Sequence, residues 1–144
     1  MNAALHEVPA LIFFAGWAQI ALVFGSLAIP AILNWTRELA KVQTLLKQLF
    51  WTYAAYILCI NLSFGLLSVF AYADLTNGSL LARALCGFIA VYWISRIAVQ
   101  FAYFDRKSFP TGWRTRLGEV ILLILFFFFS AVYSMAFFGN LLVY

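Results

Sequence analysis

Four long apolar runs are the feature that most constrains this chain. They cover residues 9–34, 50–73, 80–104 and 118–143, and each is longer than the roughly 20 residues that a helix needs to cross about 30 Å of hydrocarbon. Backbone groups in lipid have to be satisfied within the segment, and continuous runs lack the alternating polarity of a barrel strand. The sequence therefore predicts an all-α polytopic membrane protein: a four-helix transmembrane bundle with short loops, forming a single transmembrane domain over residues 1–144.

The composition points the same way. Hydrophobic residues make up 66% of the chain and charged residues 10%, whereas an ordinary soluble domain is about 45–50% apolar and about 25% charged. This mixture excludes a water-soluble globule, a disordered chain, a coiled coil and a disulfide scaffold. The net charge of +4 lies mostly in two short loops, so we expect no nucleic acid partner and a surface that contacts membrane lipid.

The positions of the basic residues predict the orientation. Seven of the nine lie between spans one and two or between spans three and four: Arg37, Lys41, Lys47, Arg106, Lys107, Arg114 and Arg116. By the positive-inside rule both of these loops are cytoplasmic and both termini are non-cytoplasmic. We expect an integral protein of the bacterial inner (cytoplasmic) membrane.

The loops carry local structure signals. Asn77 and Gly78 predict a tight turn after span two, and Ser79 is placed to cap the third helix, so that spans two and three form an antiparallel hairpin. Apolar residues recur at helical spacing over residues 36–49, which predicts an amphipathic helix with Thr36 as its cap. That helix is either a contact for a partner or anionic lipid, or a solvated connector.

A stripe of small residues in the first span predicts a close helix contact. Ala18, Ala21, Gly25 and Ala28 recur at spacings of three and four residues. Small side chains on one face let two helix backbones approach in a membrane. We therefore expect this face to pack against another span.

Few residues in the chain are suited to catalysis or metal binding. The single histidine, His6, precedes the first span, which excludes haem bound by two histidines and His-rich metal sites. Cys59 and Cys86 lie at different predicted depths, and the five acidic residues all fall at or beyond the predicted helix ends. We expect no catalytic residues, no metal site, no cofactor and no enzymatic activity, although a membrane enzyme acting on lipid stays open.

Arg96 is the exception among the charged residues, because it lies well inside the third span. A central arginine costs about 2.5–3.5 kcal/mol on insertion scales, so it should find partners inside the bundle. Counting depth along the spans places six further polar residues in one layer with it: Asn61, Gln100, Gln19, Tyr92, Ser130 and Tyr133. This intramembrane polar layer is either a hydrogen-bond network that fixes the helix register or a candidate binding site for an anion, a lipid headgroup or a quinone carbonyl.

Two functions from different classes are compatible with these features. The first is a small integral membrane protein that acts by association, as a subunit or homo-oligomer of a membrane complex, because the chain has neither a soluble domain nor a catalytic cluster. The alternative is a small homo-oligomeric transporter or channel for an anionic or neutral solute that uses Arg96. Neither the partner nor the solute can be read from the sequence.

Overall fold

The computed structural model describes residues 2–103 and 112–142, and all regular secondary structure in that part of the chain is helical. Its elements are α1 (Asn2–Ser26), α2 (Ile29–Ile32), α3 (Trp35–Leu39), α4 (Thr44–Phe70), a 3-10 turn (Asp74–Thr76), α5 (Leu80–Ala102) and α6 (Trp113–Leu142). The four predicted spans coincide with four helices that are long and apolar enough to cross a membrane. The predicted all-α, four-helix membrane-spanning fold is confirmed, and the protein is an integral membrane protein.

The connection between the first two spans differs from the prediction. The helix α1 ends at Ser26 rather than near residue 34, and Asn34 adopts a left-handed backbone conformation with φ of 49° between α2 and α3. The expected continuous helix over residues 36–49 is wrong, because residues 40–43 form a turn between α3 and α4 and Thr36 lies inside α3. The chain has to reverse direction between the packed helices α1 and α4, and it does so through these breaks.

Two ends of the bundle are distinguished by their connections. We call the end that carries the 3-10 turn the turn end, and the end that carries α2 and α3 the basic end. Part of the second predicted basic loop, residues 104–111, lies outside the described residues, so the structure bears only on its remaining part.

The long helices pack as two antiparallel pairs. The helix α1 packs along α4, α5 packs along α6, and contacts between α1 and α6 join the pairs. The helices α4 and α5 follow each other through a short turn, as predicted, but they contact each other mainly through aromatic rings. The Phe64 ring lies 5.9 Å from that of Phe88 and 5.2 Å from that of Tyr92 between centroids.

Two glycines set the distance between α1 and α4. A Cβ atom added to Gly16 would lie 2.9 Å from the carbonyl oxygen of Gly65, and a Cβ added to Gly65 would lie 2.8 Å from a side-chain carbon of Ile20. The predicted small-residue stripe is therefore wrong as a contact face. Its Gly25 has no heavy atom within 4 Å of such a Cβ, and Ala21 is exposed. The close contact lies two to three turns nearer the turn end.

The turn end is held by buried hydrogen bonds to backbone groups. The Asn140 side chain accepts from the Gly78 N–H at 2.8 Å and donates to the Leu75 carbonyl at 2.8 Å. The Cys86 thiol donates to the same carbonyl at 3.3 Å. Ser79 caps α5 as predicted, since its hydroxyl accepts from the Ala82 N–H at 3.1 Å. These bonds satisfy the polar backbone of a turn that is covered by α6.

Burial is confined to one half of the bundle. The closed half, next to the turn end, contains all the buried side chains of the described residues: it comprises residues 8–23 of α1, 61–70 of α4, the 3-10 turn, 80–93 of α5 and 126–142 of α6. The open half comprises residues 44–60 of α4, 94–102 of α5 and 113–125 of α6, with the end of α1. A helix pair alone buries its side chains only partly, so full burial marks where the two pairs meet. In the open half the inward faces of the two pairs stay partly exposed, and we call the region between these faces the cleft.

The glycine contact gives a first testable prediction. Replacing Gly16 with Ala should destabilise the protein by about 1–3 kcal/mol, because the new methyl group overlaps the Gly65 carbonyl and neighbouring side chains in a packed interface. Gly25→Ala is the matched control, because its methyl group meets open space and it gains a similar helix propensity of up to about 1 kcal/mol. Unfolding midpoints of the two variants in mixed detergent micelles measure the difference. Equal stability of the two variants would contradict this account of the contact.

Candidate functional site

The best-connected polar side chain inside the bundle is Tyr133 of α6. Its hydroxyl accepts a hydrogen bond from Nε2 of Gln19 at 2.5 Å and shares a second with the Ser68 hydroxyl at 2.6 Å. All three side chains are fully buried. The predicted layer residues Gln19 and Tyr133 are thus brought together, and their contact joins α1, α4 and α6.

Ser68 was missed by the sequence analysis. A signal for it exists, because it lies seven residues, or two helical turns, after Asn61 on the same face of α4. Asn140, which ties α6 to the turn, was missed for a different reason. Its partners are backbone groups of the turn, and these cannot be recognised in a residue pattern.

The remaining layer residues do not close into a network. Beside Tyr133, Gln19 Oε1 has no hydrogen-bond partner among the described residues. Where the closed half ends, the Tyr92 hydroxyl interacts with the Asn61 side chain across the α4–α5 gap, and Trp93 Nε1 and Ser130 Oγ have no partner among the described residues. Buried polar atoms are nearly always paired with protein, water or a ligand, because an unpaired one keeps its full desolvation cost. This layer therefore has unused hydrogen-bonding capacity.

Ring contacts place the polar groups of Asn61, Tyr92, Trp93 and Ser130 at one level of the bundle. The Phe64 ring contacts Tyr92 across the α4–α5 gap, and the Trp93 ring lies 4.6 Å from that of Phe129 on α6. Asn61 is three residues from Phe64, and Ser130 follows Phe129 directly. The layer thus lies where the closed half ends, at the apex of the cleft.

Arg96 lies about one turn beyond Tyr92, toward the basic end. Its side chain is half-buried, and its guanidinium carbon lies 5.6 Å from the centroid of the Phe126 ring. Within residues 2–103 and 112–142 it makes neither a hydrogen bond nor an ion pair, so the structure does not join it to Asn61, Ser130 or Gln100. Gln100, one turn further on, is half-buried and likewise makes no side-chain hydrogen bond in the described part of the chain.

The chemistry of the site follows from these positions. A guanidinium offers five N–H donors and no acceptor, and stacking on an aromatic face leaves its edge free to meet a carboxylate or phosphate. Gln100, one turn away on the same helix and half-buried, adds a side-chain amide. The apex of the cleft is therefore suited to an oxyanion.

Metal and thiol chemistry have no comparable centre in the described residues. No group of three or more His, Cys, Asp or Glu side chains is close enough there to hold a metal ion. Cys59 is exposed and Cys86 is buried, and neither is in a disulfide. The His6 side chain lies outside the described side chains.

Comparisons with known proteins do not identify a relative, so any function has to be inferred from the geometry of this site. No family model, no curated protein and no solved structure matches the chain.

The Tyr133 contact gives the second prediction. Tyr133→Phe should lower the free energy of unfolding by about 1–2 kcal/mol, since it removes two intramembrane hydrogen bonds that average about 0.6 kcal/mol and reach about 1.7 kcal/mol each, and leaves Gln19 and Ser68 unpaired. Tyr53→Phe is the control, because that side chain is 63% exposed. Detergent unfolding of both variants makes the comparison. If the two variants unfold together, the Tyr133 hydroxyl does not join the helix pairs.

Proposed function

We propose that this protein acts by association within the membrane, as a subunit or homo-oligomer of a membrane complex, and that a further transmembrane helix packs into the open half. The observation that carries this proposal is that burial stops at Val23, Asn61, Trp93 and Phe126, with no buried side chain among the described side chains of the open half.

Exposure of apolar side chains is not the argument, because any membrane protein exposes them to lipid. The argument concerns the inward faces. On α4 the buried stripe of Asn61, Gly65 and Ser68 continues at helical spacing to Leu58 and Ala54, which are only half-buried. On α5 the stripe that ends at Trp93 continues to Ile97 and Gln100, which are also half-buried.

A helix is a better occupant of this cleft than lipid chains. Helices in membranes associate through close packing and polar contacts rather than through a hydrophobic driving force. Lipid chains could fill the apolar walls, but they would leave the half-buried Arg96 guanidinium without a hydrogen-bond acceptor. A helix that brings an acceptor to that depth would supply one.

The orientation completes the proposal. We place the basic end on the cytoplasmic side of a bacterial inner membrane, with both termini on the other side, by the positive-inside rule. Aromatic rings support an interface there, because Trp35 lies 4.7 Å from Phe50 and 5.9 Å from Trp51 between centroids near the basic end. The open half then lies in the cytoplasmic leaflet.

The orientation is testable with reporter fusions. Alkaline phosphatase fused after Asn77 or Tyr144 should be active, and a fusion after Gly112 should be inactive, because only an enzyme outside the cytoplasm forms its disulfides. A cytoplasmic fluorescent reporter should give the opposite pattern. Phosphatase activity at Gly112 would contradict the proposed orientation.

Association is tested by filling the cleft. Ala54→Trp places a large side chain on the inward face of α4, and Ala55→Trp places the same side chain on the exposed neighbouring face. The proposal expects the protein extracted from its native membrane in mild detergent to form an assembly of fixed mass larger than one chain, and Ala54→Trp alone to dissociate it. Native mass spectrometry measures the assembly, and thermal melts check that both variants fold. A folded wild-type monomer, or equal assembly of the two variants, would end the proposal.

A second candidate function is a path for an anionic or neutral solute past Arg96. Arg96 and Gln100 favour it, because both are half-buried polar side chains on one face of α5, and polar side chains within a span mark solute pathways. Solute flux into liposomes that contain the wild type or Arg96→Leu tests it. A flux equal to that of empty liposomes for anionic and neutral solutes would end this candidate.

A further inference from the structure

The Arg96 side chain lacks the counter-charge that its position requires. It is half-buried within a membrane-spanning helix and has the face of the Phe126 ring as its described partner. Intramembrane ionisable groups usually pair with one another or with backbone carbonyls, because an unpaired charge in hydrocarbon costs several kcal/mol. No described residue supplies an anion to this guanidinium, so another molecule is a source of the counter-charge.

We propose that Arg96 binds the carboxylate of an Asp or Glu on a transmembrane helix of a different subunit, which packs into the open half with that carboxylate at the cleft apex. The inference rests on the proposed association and names the chemistry of the partner. In this arrangement the guanidinium donates to the carboxylate while its face stays stacked on the Phe126 ring.

A second copy of this chain does not supply such a carboxylate from its described residues. Glu7 and Asp74 lie toward the turn end, and Glu38 pairs with Lys41 in the basic-end connection at 3.5 Å. Glu119 of α6 lies seven residues before Phe126, which contacts Arg96, and at a rise of 1.5 Å per residue this is about 10 Å along the helix.

The depth of Arg96 favours a helix over a lipid headgroup. Arg96 lies six residues before the end of α5 at Ala102, which is about 9 Å of helix. Lipid phosphates and carboxylates lie at the interface, outside the hydrocarbon, so a headgroup would have to be drawn inward by about this distance against its own hydration. A carboxylate on a transmembrane helix is held at that depth by the helix backbone.

Designed transmembrane peptides provide the test. Three polyleucine peptides of about 20 residues carry lysines at one end and a single Glu, Gln or Leu six residues from that end. Each bears a donor dye and is reconstituted with the full chain in phosphatidylcholine liposomes. The acceptor dye is attached to Cys59, which is exposed, whereas Cys86 is fully buried. Energy transfer then reports binding.

We expect the Glu peptide to bind the wild type at least about tenfold more tightly than the Gln and Leu peptides, since about 1.4 kcal/mol of added interaction suffices for this. Arg96→Gln should remove the preference, Arg96→Lys should retain part of it, and Arg37→Gln is the matched control because that cation is exposed outside the cleft. In peptide-free liposomes Arg96→Gln should melt at the same temperature as the wild type or higher, because no ion pair is lost and an unpaired charge is removed.

Four outcomes would overturn the inference. Equal binding of the three peptides would show that Arg96 does not recognise the Glu carboxylate. Failure of all three peptides to bind would contradict the proposal in the same way. A native assembly that contains only copies of this chain would remove the different subunit, while leaving association intact. Stabilisation of the wild type but not Arg96→Gln by phosphatidylglycerol, with no preference among the peptides, would assign the guanidinium to a lipid oxyanion instead. If a variant fails to fold, the comparison of the three peptides on the wild type decides alone.

Discussion

The hydroxyl of Tyr133 is the contact on which the joining of the two helix pairs depends. In lipid, apolar side chains gain little by leaving hydrocarbon for a protein interior, so polar bonds and close backbone contacts decide where helices meet. Tyr133 reaches from α6 to Gln19 on α1 and to Ser68 on α4. The glycine contact between α1 and α4 and the Asn140 bonds to the turn lie in the same half of the bundle. The position of these contacts therefore determines which half closes.

The open half follows from the same distribution. Beyond Trp93 and Phe126 the described helices offer mainly large apolar side chains, which have no strong preference between lipid and each other. The half-buried Arg96 and Gln100 beyond that boundary have a strong preference, because hydrocarbon cannot solvate them. The layer thus separates a half that is packed within the chain from a half whose inward faces stay partly exposed.

The sequence correctly predicted the features that depend only on one segment of the chain and its immediate neighbours. Crossing a membrane requires length and hydropathy, and the Ser79 cap requires only neighbouring residues, so both were predicted correctly. Gln19 and Tyr133 were placed at one depth by counting turns. Which helices pair, and along which face, depends on contacts between distant segments. That is why Gly25 was chosen over Gly16 and why Ser68 was missed. Counting depth also could not show that Arg96 would stack on Phe126 instead of bonding to its layer neighbours.

If Arg96 binds a carboxylate of a second subunit, as we propose, a single charge lets an apolar membrane-spanning surface select its partner. A cleft lined with Leu, Ile and Phe accepts any apolar helix of suitable shape, so its walls give affinity with little discrimination. A single guanidinium at the apex changes this, because a helix without an anion leaves the charge unpaired at a cost of several kcal/mol, whereas a helix with a carboxylate at the same depth removes that cost. The same residue that makes the isolated chain less stable therefore makes the assembled one specific, and its distance from Tyr133 lets it do so without loosening the contact that holds the bundle closed.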